Sequence, residues 1–308
     1  MKKLCIIYWL VFTLFTACRT LDGNKIYFQR PEGSIQLSFA VASDMRSSTG
    51  KEFYYFRGIC EMLNDGGPGN FMVSPGDIDP PDSTYQTIYR YIDPEYTWYP
   101  VVGNHEAETE FDMAWLREYN RYGNTLLNIT QSGPANGTET TYSFEYGDAH
   151  FILLNEYYDG ESDIATDGEI GDELYQWLIF DLQRNNKPLI FVFGHEPAFP
   201  LPDQESGRIR HENTCLDKYP THRDRFWQLL ADYQVLAYLC GHTHNYSVQQ
   251  FNGVWQIDAG HARGIADSGA RSTFILFYVM ENQDVWHYTY RMNLSTYNYE
   301  LTEFRRLD

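Results

Sequence analysis

Short apolar runs in this chain repeatedly end in side chains that bind metals or move protons. Ile35–Ser43 leads to Asp44, Phe71–Ser74 to Gly76-Asp77, and Trp98–Val102 to Gly103-Asn104-His105-Glu106. Leu189–Phe193 leads to Gly194-His195, and Val235–Cys240 to Gly241-His242-Thr243-His244. Carboxylate oxygen, amide oxygen and imidazole nitrogen are the donors that suit Zn, Fe or Mn. Taken singly, each has a plainer explanation: a strand-terminal Asp is more often a turn former or helix cap, and a single His is more often structural. Recurrence at five strand ends is what a site predicts, because open α/β sheets gather ligands at the carboxyl ends of their strands. A Gly before the polar group at four of the five ends, all but Asp44, is expected to let the chain turn sharply and bring that group inward. His242 and His244, two residues apart, would share one face if the strand ran through them.

The runs that must position these residues read as buried strands. Helix-like stretches lie between several of them: Glu52–Leu63, Phe111–Tyr119, Asp172–Arg184 and Arg223–Asp232. That alternation predicts an α/β layered fold. Hairpins are expected at Thr141–Tyr146/Ala149–Asn155, around Gly147-Asp148, and at Tyr246–Phe251/Val254–Ile257, around Asn252-Gly253. A further pair, Ser272–Met280 and Val285–Met292, flanks a turn near Asn282, so the sheets should be mixed. Residues 199–220 read as a long loop, of the kind that is often functional in a compact domain.

Composition narrows the classes. The chain has 308 residues, 43% hydrophobic and 17% aromatic, enough for a sizeable β-containing core. A formal net charge of −19, without a run of Lys and Arg, argues against a nucleic-acid-binding surface. An acidic enzyme still takes an anionic substrate if bound cations reverse the local potential. No G-x-S-x-G, Walker-type loop or G-x-G-x-x-G occurs. Cys60, Cys215 and Cys240 are odd in number and far apart. A thiolate zinc site and a dense disulfide framework are not expected, and one bridge of unspecified pairing remains compatible.

At the N-terminus, Lys2-Lys3 precede an apolar stretch from Leu4 to Phe15 and then Thr16-Ala17-Cys18. The stretch is short for a bilayer span and reads as a secretory signal. Small residues before Cys18 resemble a lipoprotein signal, with Phe15 where Leu is usual; ordinary cleavage near Ala17 is the alternative. The expected organisation is a lipoprotein signal peptide over 1–17, a tether over 18–33 and one domain over 34–308. Lipidated Cys18 would then anchor a secreted protein to a bacterial membrane, periplasmic or at the cell surface.

The ordered set Asp44, Gly76-Asp77, Gly103-Asn104-His105-Glu106, Gly194-His195, Gly241-His242-x-His244 resembles the signature of the calcineurin-like metallophosphoesterases. Ala237–Tyr246 resembles the bacterial, purple-acid-phosphatase-like branch. The resemblance implies a two-sheet mixed β-sandwich flanked by helices. It implies hydrolysis of phosphate mono- or diesters by a hydroxide bridging two divalent or trivalent ions. By the same resemblance Asp77 bridges the ions, Asp44 and His244 complete the first, Asn104, His195 and His242 hold the second, and His105 sits beside the leaving group. Two positions depart from the pattern. Arg46 stands where the family has a His ligand, and a guanidinium cannot ligate a metal. Position 80, where purple acid phosphatases supply a Tyr ligand, is Pro80. The Asp that usually steadies the catalytic His has two candidate replacements, Asp79 and Asp82. Arg46 has two readings, a phosphate contact or an ion-pair partner that fills space. His261 and Arg263 are candidate substrate residues at the rim. Arg208, Arg210 and His211 are read chiefly as a solvated loop. The competing function is a surface-anchored binding protein that keeps the fold with weak or no turnover, owing to Arg46.

Overall fold

Residues 28–46 and 54–308 are described by the structure, a computed structural model. The signal segment, Cys18 and the tether up to residue 27 lie outside the described residues. Aromatic and β-branched runs pair into two mixed sheets. In the first, β1 (Ile35–Val41), β2 (Phe71–Ser74) and β3 (Thr97–Pro100) run parallel. On the other side of β1 the sheet continues antiparallel through β11 (Thr273–Met280), β12 (Val285–Met292) and β13 (Tyr299–Leu307). The second sheet has the order β4 (Ile129–Ser132), β5 (Tyr142–Tyr146), β6 (Ala149–Leu153), β7 (Leu189–Phe193), β8 (Ala237–Cys240), β10 (Val254–Ala259), β9 (Tyr246–Phe251). Its central strands β6, β7, β8 and β10 are parallel.

Alternation along the strands sorts the core into three layers. Phe39, Val41, Phe71 and Val73 face Phe144, Phe151, Phe191 and Phe193 between the sheets. Phe39 stacks on Phe277 at 4.8 Å and meets Phe151 edge-on at 5.3 Å, geometries that aromatic quadrupoles favour. The intervening residues Ala40, Met72 and Trp98 point outward, under helices α1 (Phe56–Gly66), α2 (Pro81–Tyr91) and α4 (Glu110–Tyr119). On the far face, α5 (Asp172–Arg184) and α6 (Pro220–Asp232) cover Ile152, Val192 and Tyr238. Strands buried on both faces lose the polar alternation of a half-exposed sheet, which explains why these runs are so apolar.

Helix α2 escaped the sequence reading because its buried face rests on Pro81, Thr84 and Ile88 among polar and Tyr residues. Strand β13 escaped because it is an edge strand whose inner positions alternate between exposed and half-buried. Cys60, Cys215 and Cys240 are buried free thiols, and no disulfide joins them.

Candidate metal centre

The carboxyl ends of β1, β2 and β3 in one sheet meet those of β7 and β8 in the other. Asp44 follows β1, Asp77 follows β2, and Asn104 and His105 open the short helix α3 (Asn104–Ala107) after β3. His195 follows β7, and His242 and His244 follow β8. Asp44, Asp77, His242 and His244 themselves adopt left-handed backbone, with φ of 54°, 50°, 66° and 58°. Such conformations in non-glycine residues persist where surrounding structure over-determines them, and they cluster at functional sites. The expectation that His242 and His244 share a strand face is corrected: β8 ends at Cys240, and the two imidazoles are aimed by left-handed turns. The expectation about glycine also changes. Gly76 does carry a positive φ of 82°, but Gly241 is needed for close approach, since a Cβ there would lie 2.1 Å from Ser43 Oγ and 2.3 Å from Asp44 Oδ2.

Two donor sets result. Asn104 Oδ1, His195 Nε2 and His242 Nδ1 form a triangle of 3.1–3.2 Å sides, and Asp77 Oδ1 stands 3.3 Å from His195 Nε2. Donors about 2.0–2.1 Å from one ion are separated by about 3.0 Å at right angles and about 3.4 Å at tetrahedral angles, so the triangle is the right size. The other set is Asp44, Asp77 and His244, whose donor atoms all lie within 4.8 Å of one another. Here Asp44 Oδ1 faces His244 Nε2 at 3.4 Å, and it is buried without a hydrogen-bond partner. A buried unpaired polar atom costs about 1–3 kcal/mol, more when charged. A cation shared with His244 and Asp77 would satisfy it, so the donors present fit a metal.

Outer hydrogen bonds already aim these groups. His195 Nδ1 donates to the Pro75 carbonyl at 2.8 Å, which turns Nε2 into the site. His244 Nδ1 meets Asp267 Oδ2 at 2.7 Å, which turns its Nε2 inward as well. Asp44 Oδ2 accepts from Ser43 Oγ at 2.7 Å and from the His242 amide at 3.0 Å. Two buried glutamates fasten the loops. Glu106 accepts from the amides of Asp77, Ile78 and Gly103 at 2.7–3.0 Å. Glu156 accepts from those of His195 and Glu196 at 2.9 and 2.6 Å. Such contacts fix ligand orientation and tautomer.

Electrostatics agree with a cation-seeking pocket. Burial works to lower the His195 pKa, but the Asp77 and Asp44 carboxylates outweigh it and push it up to about 9. Burial also works to raise Asp44, yet the nearby His244 imidazole holds it well below the usual carboxylate range. His242 goes the other way, driven well below the usual imidazole range by burial and by His195.

The remaining candidates separate. Arg46 is half-buried; its Nε pairs with Asp79 Oδ1 at 3.2 Å, and its Nη1 donates to His105 Nε2 at 2.7 Å. His105 Nε2 also stands 3.6 Å from Asp77 Oδ2. Asp82 accepts from the Ser83 amide at the start of α2 and makes no hydrogen bond or ion pair with His105. Of the two proposed replacements, Asp79 reaches His105 only through Arg46. His261 does not line a rim: it is fully buried, with Nε2 against the Ala270 carbonyl and Nδ1 accepting from the Arg263 amide. Arg263 is half-buried, and its Nε is buried without a partner.

Arg208, Arg210 and His211 of the 199–220 loop are half-buried against the site, while much of the rest of the loop is exposed. The His211 ring centroid is 4.3 Å from that of His242, and burial beside Arg210 lowers the His211 pKa to about 4. Arg208 donates to Asn245 Oδ1, to Asp267 Oδ1 and to the His244 carbonyl. Sequence reasoning missed Glu156, Asp267 and the role of Arg208. No spacing or motif marks them; they hydrogen-bond to candidate donors or to their backbone.

Solved structures share this architecture. PhoD superposes with a TM-score of 0.57 at 12% identity, covering 91% of this chain and 71% of that one. GAP50, the anchor in the inner membrane complex of Plasmodium, gives 0.56 at 15% identity, covering 89% of each chain. At such identities the likeness is one of fold. The chain matches no curated protein in sequence. The calcineurin-like phosphoesterase family model matches residues 37–246, more than half of the chain, from within β1 to just beyond His244. The match over more than half of the chain shows that the chain belongs to the calcineurin-like phosphoesterase family, and its two mixed sheets with flanking helices are consistent with that fold.

Proposed function

We propose that the protein hydrolyses phosphate esters with two divalent or trivalent ions, Zn, Fe or Mn, that share the Asp77 carboxylate. The observation behind this reading is the meeting of two donor sets at one residue: Asp77 belongs to the Asp44–His244 group and also lies 3.3 Å from His195 Nε2. Asp44, Asp77 and His244 would hold one ion; Asp77, Asn104, His195 and His242 would hold the other. Ions bound there supply Lewis acidity, drawing charge from phosphoryl oxygens and making water a competent nucleophile near neutral pH.

The chain's own groups do the rest. His105 Nε2, 3.6 Å from Asp77 Oδ2, is the group to hand a proton to the departing ester oxygen. Arg46 is the group to bind a non-bridging phosphoryl oxygen through charge-assisted hydrogen bonds. A guanidinium only donates, so in its present pose it uses the His105 Nε2 lone pair. Transfer of Arg46 to the phosphate would free that nitrogen to take up a proton from solvent, which it could then hand to the ester oxygen. Incubation of the metal-loaded protein with p-nitrophenyl phosphate and bis(p-nitrophenyl) phosphate should give chelator-sensitive release of nitrophenol. A protein that binds two ions and cleaves neither ester would defeat the reading.

The Arg46–His105 contact also favours a second reading, a surface-anchored binding protein with weak or no turnover. In that case aryl phosphates would bind to the metal-loaded protein and remain intact. For location we propose lipidation at Cys18 and attachment to a bacterial membrane. Cys18→Ser should move the protein to the soluble fraction, and unchanged membrane partition would exclude lipidation.

A further inference from the structure

The least expected contacts in the molecule join the 199–220 loop to one ligand. Asp203 anchors the base of the loop. Its carboxylate is buried, pairs with the buried Arg291 at 2.7 Å and accepts from the Tyr246 amide at 3.0 Å. The Asp203 amide in turn donates to the Arg208 carbonyl at 2.8 Å, which sets where the Arg208 side chain starts. From there the guanidinium reaches three acceptors in one cluster: Asn245 Oδ1 at 2.8 Å, Asp267 Oδ1 at 2.8 Å and the His244 carbonyl at 3.1 Å. The fit leaves no slack, since a Cβ on Gly269 would lie 1.8 Å from Arg208 Nη1. Asp267 spends its other oxygen, Oδ2, on His244 Nδ1 at 2.7 Å. The Gly269 amide adds a further bond to Asp267 Oδ1 at 2.8 Å.

We infer that Asp267 and Arg208 are positioning residues for His244, and that docking of the 199–220 loop governs how firmly the Asp44–Asp77–His244 set retains its ion. Resting on the metal-binding reading above, the inference concerns one donor set of the two. His195 is oriented independently, through the Pro75 carbonyl. Among the described residues the set consists of Asp44, Asp77 and His244, with Arg46 where the family resemblance implies a further donor, so loss of His244 alignment leaves two carboxylates of the three. Both carboxylates are held by backbone amides, Asp44 by that of His242 and Asp77 by that of His105, whereas the His244 imidazole is held through Asp267, which makes His244 the variable member. A guanidinium fork across Asn245, Asp267 and the His244 backbone fixes Asp267 as an acceptor and limits rotation of the imidazole. Loss of an outer-shell partner of this kind typically lowers metal affinity about 10–100-fold.

The test is calorimetric titration of the full metal-free chain with Mn²⁺ or Zn²⁺, comparing wild type with Asp267→Ala, Asp267→Asn and Arg208→Met. Thermal melts identify any variant that fails to fold; the near-isosteric Asp267→Asn keeps an acceptor for Nδ1 and guards against that failure. Wild type should take up two ions. Asp267→Ala should weaken one of them about 10–100-fold and leave the other unchanged. Asp267→Asn and Arg208→Met should weaken the same ion by less. Two ions bound with wild-type affinities in every folded variant, or equal weakening of both ions, would overturn the inference. Uptake of no ion by wild type would instead overturn the metal-binding reading on which it rests.

Discussion

The two donor sets sit side by side yet are built differently. Around His195, the atoms of Asn104, His195 and His242 are mutually 3.1–3.2 Å apart, already at the spacing of ligands on one ion. Around Asp44 the spacing is looser, with His244 at 3.4 Å and an Asp44 oxygen that has no hydrogen-bond partner. The strand end itself is not displaced. Asp44 remains fully buried and accepts from Ser43 and from the His242 amide. Arg46, two residues on, folds away to Asp79 and His105. Among the described residues the Asp44 set is the smaller in donor count, and Arg46 stands as a cation beside the group proposed to protonate the leaving oxygen.

The strongest way to break the comparison is to remove what both sets share. Asp77→Ala should abolish loading of both ions and reduce hydrolysis to background, as read by elemental analysis and aryl phosphate turnover; two ions retained per chain would refute the shared role. Next in size, His105→Ala should keep two ions and lower kcat about 10²–10⁴-fold for alkyl esters. The loss should be smaller for nitrophenyl esters, whose leaving groups need less protonation. Equal losses for both would remove His105 from proton transfer.

Arg46 sharpens the contrast directly. Arg46→His should restore a donor and tighten the weaker ion about tenfold or more, because affinity follows ligand number. Arg46→Ala should raise KM about 10–100-fold without tightening either ion, the scale of a lost charge-assisted bond of about 1.5–3 kcal/mol. Unchanged KM and kcat in Arg46→Ala would leave Arg46 as an ion-pair partner of Asp79 alone.

The smallest effect on the site should come from a histidine remote from both sets. His287 on β12 is fully buried, and burial lowers its pKa to about 3. A depressed folded pKa means that the unfolded chain binds the proton first. The stability is present above the ordinary imidazole pKa and is lost as pH falls from about 6.5 toward about 3. Each proton so taken up contributes a slope of about 1.4 kcal/mol per pH unit. His287→Leu should flatten the acid limb of metal-free thermal melts, with metal uptake at pH 7 unchanged. An equally steep acid limb in the variant would place the sensitivity elsewhere.

Much of this was readable from sequence because it is local. Phe71–Ser74, Leu189–Phe193 and Asp172–Arg184 have the bounds their composition predicts. The donors were legible because each directly follows an apolar run. Strand type followed from runs buried on both faces, and hairpins from Gly147-Asp148 and Asn252-Gly253. Helix α2 and strand β13 lacked the periodic apolar signal and were not legible.

What the chain alone determined, then, is the identity of the candidate donors and the strand ends that carry them, since both depend on residues adjacent in sequence. Which atom each ligand presents was decided only by tertiary structure. The backbone of His242 and His244 turns left-handed instead of extending. His261 is consumed by backbone partners, and Arg208 reaches Asp267 across 59 residues. An imidazole has two nitrogens and a guanidinium five donors. The choice among them is made by whatever distant carbonyl or carboxylate the packing of two sheets and a long loop brings within 3 Å, and no local propensity encodes that distance.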